Sequence, residues 1–198
     1  MAVPPPSSDP LVPDPAKIRL REALKARRAA HVVEIGAEGA TAAAEAAMRH
    51  ILPHIPHAAT VALYLALKEE LDPYPLIEAL HARGQSMALP ALFDESAMRF
   101  LAWAPGAPLE RGPMRLRQPL SSAPERAPDL IVTPLLAFDR HGHRIGYGAG
   151  HYDRAFQRLP GAHRIGLTWA VQEVDRIPHD PWDVPLHAIV TEREFIAA

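Results

Sequence analysis

Residues 129–154 read DLIVTPLLAFDRHGHRIGYGAGHYDR. This stretch passes from a strand to a glycine-rich loop to a helix. Leu130, Ile131 and Val132 form a short apolar run that stops before Pro134. The loop that follows carries Gly142, Gly146, Gly148 and Gly150, and a helical pattern runs from Tyr152 to Leu159. Glycine lets backbone N–H groups approach an anion without an intervening Cβ, and the start of a helix adds partial positive charge. The arrangement predicts a phosphate-holding loop at the end of a strand. Arg144 offers a full positive charge beside it, and Asp153 is placed to hold a metal on the phosphate. Glycine-rich loops also serve as plain surface loops. The flanking strand, Arg, Tyr and Asp make this one specific.

Working outward, residues 16–31 predict one helix. In it Lys17, Arg21, Lys25 and Arg28 share a face, beside an apolar strip of Leu20, Ala23 and Leu24. An alanine-rich helix is expected from residue 37 to residue 52, ending at Pro53. Strands are expected at 61–66, 86–89, 98–102, 164–168 and 187–190. Between them Asp72 reads as the N-cap of a helix that Gly84 ends, with Pro73 in its first position. Residues 104–128, rich in Pro, Gly and Arg, read as an irregular connection. Strands that are apolar throughout and alternate with helices predict a largely parallel central sheet covered on both faces, a three-layer α/β/α sandwich. In such folds ligands gather at the carboxyl ends of the strands, and the loop after Val132 lies there.

Composition narrows the class. With 198 residues, 48% hydrophobic and 22% charged, the chain has enough apolar material for one catalytic-sized domain, expected over residues 16–198. A formal charge of −2 gives no general attraction to nucleic acid, and no apolar run approaches a membrane span. Cysteine is absent, which excludes disulfides, thiol catalysis and thiolate metal sites, and fits a cytoplasmic protein. Six of the 22 prolines fall in the first 15 residues, which read as a disordered or extended tail with none of the marks of a secretory signal. The 11 histidines lack the spacing of a zinc site. Only Lys17, Lys25 and Lys68 are lysines, against 18 arginines. A lysine against that background hints at a site wanting a compact ammonium, although each also reads as a solvated charge.

PLLAFDRHGHRIGYGAGHYDR resembles the signature of the 5-formyltetrahydrofolate cyclo-ligase family, an apolar run followed by F-D-x-x-G-x-R-L-G-x-G-x-G-Y-Y-D. Other family marks follow in order: the K-x-x-L-R pattern at Lys17-Ile18-Arg19-Leu20-Arg21, Glu70-Leu71-Asp72, Trp182-Asp183, and Val190-Thr191-Glu192. Residues 1–15 lie outside the resemblance. It implies a three-layer α/β/α enzyme that uses ATP and Mg²⁺ to close 5-formyltetrahydrofolate to 5,10-methenyltetrahydrofolate, releasing ADP and phosphate. It implies an ATP site at residues 17–21 and at Arg144, Ile145, Gly146, Tyr147, Gly148, Ala149, Gly150, His151 and Tyr152, with Lys17 and Arg144 acting in catalysis. It implies folate contacts at Glu70 and Tyr152, and metal carboxylates at Asp153 and Asp183. By sequence alone Asp183 reads as a turn residue and Asp72 as a cap. The chain departs from the family at His151, where Tyr is usual, and at Ala149, Arg115, Gln118 and His187. A monomer acting on small molecules is the expected form. A folate- or nucleotide-binding protein without turnover, and a ligase of the same fold with another substrate, are the competing readings.

Overall fold

The structure, a computed structural model, describes residues 15–93, 98–113 and 116–198, with side chains from residue 18 onward. The proline-rich leader up to residue 14 and Arg115 therefore lie outside the described residues. Helix α1 spans Pro15–Ile51 with one break, at Gly36. Its φ of 65° there is a left-handed value that glycine adopts without a Cβ penalty. The expected two helices are thus nearly continuous, and the first runs four residues beyond its expected end. The remaining elements are β1 (Val61–Ala62), α2 (Tyr74–Ala82), β2 (Met87–Leu92), β3 (Met98–Ala102), β4 (Leu109–Arg111), β5 (Arg117–Pro119), β6 (Leu130–Thr133), β7 (Ala137–Phe138), β8 (Arg144–Ile145), α3 (His151–Arg158), β9 (His163–Leu167), β10 (Ala188–Val190) and β11 (Phe195–Ala197).

Seven strands form one sheet in the order β11-β10-β9-β6-β1-β2-β3. The five inner strands are parallel, and β3 and β11 close the two edges antiparallel. Alternate residues of each inner strand feed opposite cores. Val61, Leu130, Val132, Ile165, Leu167, Ala188 and Val190 face α1 and α2, packing on Ala47, Ile51, Leu76, Ile77 and Leu80. Ala62, Ile131 and Ile189 face the other way, onto Ala155 and Phe156 of α3. Each large apolar side chain so buried contributes about 1.5–3 kcal/mol. The three layers expected from the apolar strands are present.

The order of the strands positions the site. From β1 the chain winds outward through β2 and β3. It then returns to lay β6 on the other side of β1 and winds outward again through β9 and β10. The connections leaving β1 and β6 therefore diverge and leave a crevice at their carboxyl ends, where ligands bind in folds of this kind.

Several local expectations are corrected. The strand expected over 61–66 keeps only two ladder residues. One further bond, from Leu63 N–H to the Ala88 carbonyl at 3.0 Å, precedes the turn of the chain towards Glu70. The Tyr64 hydroxyl donates to the Leu71 carbonyl at 2.5 Å and closes that loop. Asp72 does accept from Tyr74 N–H at 3.0 Å, but the helix begins one residue later than expected, with Pro73 as its cap residue. The connection expected to be irregular contains the β4–β5 hairpin. Gln118 pins it to the sheet by accepting from Leu92 N–H at 3.0 Å. A second hairpin, β7–β8, lies inside the glycine-rich stretch, and β11 was not expected at all. Ala23, assigned to the apolar strip of α1, is exposed.

Gly166, in the middle of β9, is a packing constraint. A Cβ there would lie 2.5 Å from Leu135 Cδ2 and 2.7 Å from Leu186 Cδ1. Overpacking of this kind costs about 1–3 kcal/mol. Gly166→Ala is expected to lower the thermal unfolding midpoint by roughly 2–4 °C per kcal/mol lost, in a protein of this size. A calorimetric scan beside the parent protein checks it, and an unchanged midpoint would mean that both leucines move aside freely.

Candidate active site

The glycine-rich loop is built around one buried carboxylate. Asp139, fully buried, accepts from the backbone N–H groups of His141 (3.0 Å), His143 (3.1 Å) and Ile177 (3.0 Å), and lies 3.1 Å from His143 Nδ1. Burial pushes its carboxyl up. The bonds from Ile177 and His143, with that from His141, outweigh burial and hold it below the usual carboxylate range. Next to it Arg140 binds Glu173 at 2.7 Å and Glu194 at 2.6 Å, tying the hairpin to the segments after β9 and β10. Leu20 and Leu24 of α1 pack on Leu136, Ala137, Ile145 and Ile177 and bring the first turns of α1 against the hairpin.

That docking delivers the cations of α1 selectively. Arg21 Nε donates to the Gly146 carbonyl at 3.0 Å, and a Cβ on Gly148 (φ 104°) would lie 3.4 Å from the Arg21 guanidinium. Arg28 is 3% exposed and donates to the Tyr147 hydroxyl at 3.0 Å, with Glu69 at 3.6 Å. Its Nε and Nη1 are buried without a partner among the described residues. Lys25 turns outward and pairs with Glu22 at 3.0 Å, so the expected row of four cations divides. Ile18 and Arg19 are exposed and Leu20 is half-buried against the hairpin. The side chain of Lys17 lies outside the described residues.

Glu70 stands across the crevice. Its Oε2 accepts from Leu67 N–H at 2.9 Å and its Oε1 from the Tyr147 hydroxyl at 2.9 Å. Burial pushes this carboxyl up, and the bonds from Leu67 and Tyr147, with the charge of Arg28, offset only part of that. Burial and Glu70 together raise the Tyr147 phenol to about 12. The loop after β1 and the loop after β6 thus meet in the chain Arg28–Tyr147–Glu70. Trp169, buried at the end of β9, backs it by donating to the Glu69 carbonyl at 2.8 Å, with the His31 ring edge-on at 5.3 Å. Tyr152 is half-buried, and burial and then Glu70 raise its phenol above the usual range.

Arg144 and Asp153 form a pair at 2.6 Å, and Arg144 also donates to the Val184 carbonyl. Asp153 further accepts from Val184 N–H at 3.3 Å, which brings the turn containing Asp183 against the start of α3. Asp183 Oδ2 accepts from Asp180 N–H at 2.8 Å, as a turn residue does. Among the described residues no group of three or more acidic or histidine side chains is arranged to hold a metal. His151 contacts Arg154 at 3.0 Å; burial and then the Arg154 charge lower its imidazole. Gly150 caps α3 with a left-handed φ of 66°. Ala149 is exposed at the loop tip, and His187 lies away from the loop, stacked on His163.

Arg28 and Asp139 were not singled out as site residues from the sequence. The signal for Arg28 was present. Leu20, Leu24 and Arg28 recur every four residues, so the arginine continues the buried stripe.

The profile described as the 5-formyltetrahydrofolate cyclo-ligase family matches residues 13–192. The chain is 36% identical over 147 residues to the 5-formyltetrahydrofolate cyclo-ligase of Escherichia coli strain K12, covering 70% of this chain and 81% of that protein. It is 33% identical over 141 residues to that of Haemophilus influenzae, covering 67% and 75%. Among solved structures, the 5,10-methenyltetrahydrofolate synthetase of Aquifex aeolicus superposes with a TM-score of 0.78 at 26% identity, over 91% of this chain and 92% of that one. The synthetase of Mycoplasma pneumoniae shares the fold, with a TM-score of 0.71 at 20% identity, over 89% and 99%.

Because the folded-state pKa of Asp139 is depressed, its stabilisation is fully present above the unfolded value of about 3.9 and is lost as pH falls through the folded value. Asp139→Asn is expected to be destabilised relative to the parent at pH 7, with the gap closing below about pH 4. Urea unfolding of both proteins across pH 3–7 tests this, and a gap independent of pH would assign the loss to shape alone.

Proposed function

The chain belongs to the 5-formyltetrahydrofolate cyclo-ligase family, and on that premise we propose that it closes 5-formyltetrahydrofolate to 5,10-methenyltetrahydrofolate at the expense of ATP. The observation that carries the reading is the meeting of the Glu70 loop and the glycine-rich loop at the β1/β6 crevice, through the Tyr147–Glu70 bond. One side of the crevice suits a polar heterocycle and the other a phosphate.

The reaction needs little covalent help. A formamide oxygen leaves poorly as oxide, so it attacks the γ-phosphorus of ATP and ADP departs. N10 then adds to the activated formyl carbon and gives up its proton, and loss of phosphate leaves the methenyl bridge. The protein aligns oxygen with phosphorus, neutralises developing charge and excludes water. Arg21 and the amides of Gly146–Gly150 lie on the phosphate side, where Lys17 joins them in this reading. Arg144 acts from a fixed position, held by Asp153 and the Val184 carbonyl. Glu70 receives the amide and amino N–H groups of the pterin in place of Tyr147, since one carboxylate accepts two adjacent donors. Tyr152 walls the folate side.

Asp153 and Asp183 fit Mg²⁺ in kind, since this ion takes one or two carboxylates and completes its shell with water and phosphate oxygens. When bound it would supply charge compensation for the triphosphate. The reading carries with it one catalytic domain over residues 16–198, a cytoplasmic setting and a monomer. None of the described helices is long and apolar enough to cross a membrane.

The test is direct. Protein mixed with 5-formyltetrahydrofolate, ATP and Mg²⁺ is expected to develop the near-ultraviolet absorbance of the methenyl product, and omission of ATP should abolish it. Absence of product with a folded protein, alongside measurable folate binding, would favour the non-catalytic reading. Glu70→Gln is expected to raise KM for the folate by roughly tenfold or more, since a charge-assisted bond is worth about 1.5–3 kcal/mol. KM for ATP should move far less. Equal losses for both substrates would move the pterin away from Glu70.

A further inference from the structure

Tyr147 reaches into the crevice in the way a bound molecule does. It stands between Gly146 and Gly148, just after β8. The residue is 48% exposed and belongs to none of the three apolar cores, so contacts at its hydroxyl hold it in place. That hydroxyl donates to Glu70 Oε1 at 2.9 Å and accepts from Arg28 Nη2 at 3.0 Å, and both partners are buried. The Arg28 guanidinium also lies 5.8 Å from the centre of the Tyr147 ring. Glu70 Oε2 is already engaged by Leu67 N–H at 2.9 Å. The phenol therefore takes the oxygen that remains for an incoming donor. Its release breaks no core packing. Gly148 has a left-handed φ of 104°, and a Cβ on Gly146 would meet nothing within 4 Å, so the segment is free to turn at both glycines.

We propose that Tyr147 is a built-in competitor of the folate: in the free protein its phenol occupies the Glu70 carboxylate, and folate enters only by displacing it. The inference rests on the folate reading of Glu70. The exchange sets a threshold for entry. A ligand that offers Glu70 one donor replaces one hydrogen bond by another, and it leaves Arg28 without the phenol oxygen. A flat heterocycle with adjacent amide and amino N–H groups brings two donors to one carboxylate and gains the difference. Tyr147 thus favours ligands with a pterin-like edge. The apparent affinity for folate is reduced in proportion to the fraction of molecules whose Glu70 is free.

The measurement is the Kd of 5-formyltetrahydrofolate without ATP, by calorimetric titration of the parent protein and of Tyr147→Phe, which keeps the ring and removes the hydroxyl. Loss of one hydrogen bond to a buried carboxylate predicts roughly three- to tenfold tighter binding in the variant. Labelling with 3-fluorotyrosine gives a second readout by fluorine NMR, in which the resonance missing from Tyr147→Phe belongs to Tyr147. Burial and Glu70 hold this phenol above its ordinary range in the closed site. Saturating folate should bring its titration down towards that of an exposed fluorophenol. Tyr147→Met takes the place of the phenylalanine variant if thermal unfolding shows the latter to be misfolded. Equal or weaker binding in the folded variant, or a phenol whose titration stays up or rises with folate, overturns the proposal and leaves the folate reading intact. Folate that binds neither protein overturns the folate reading and the competitor with it.

Discussion

The constraint on which the site depends is the reversal of winding between β1 and β6. Parallel strands require long crossovers, and two crossovers that leave adjacent strands in opposite directions cannot cover the same ground. The chain must therefore leave an open crevice above β1 and β6, and the two loops that border it become the two sides of a site. Glu70 comes from one and the glycine-rich loop from the other. Neither loop belongs to the core, yet each is anchored by it, since the strands beneath them are buried on both faces.

Polar groups order the glycine-rich stretch alongside the apolar packing of Leu136, Ala137 and Ile145. A loop with four glycines has a high conformational entropy to lose. Asp139 offsets that by collecting three backbone N–H groups from residues 141–177 onto one carboxylate. Arg140 adds links to Glu173 and Glu194, and Arg21 closes the far end on the Gly146 carbonyl. The tip, residues 147–149, stays exposed. The order of the loop is thus set at its base, and its tip is left to meet a ligand.

Charge in the crevice is held in pairs that a ligand can enter. Tyr147 donates to Glu70 and accepts from Arg28, so one phenol keeps a buried carboxylate and a buried guanidinium apart. Arg28 retains two nitrogens with no partner among the described residues, which is costly for a buried charge. Arg144 and Asp153 hold each other on the opposite side. Both arrangements fix side chains in advance of binding, which is how a site lowers the cost of orientation.

The sequence by itself determined the class of fold and the glycine-rich loop at a strand end. These follow from short-range rules: apolar runs without alternation make buried parallel strands, and glycine with a following helix makes an anion loop. The K-x-x-L-R pattern and the signature likewise carried the family. What the sequence left open is what contact decides. Lys25 and Arg28 look alike in a helical repeat, yet packing of Leu24 on Ile145 buries one and exposes the other. That Arg144 pairs with Asp153 at 2.6 Å is likewise a matter of contact. The β4–β5 and β7–β8 hairpins have ladders of two or three residues. Such strands have no period to read, and Gln118 and Asp139 help fasten them to the body of the fold. Partners far apart in the chain, such as Tyr147 with Glu70, meet only once the sheet has set its strand order, so tertiary structure alone decides them.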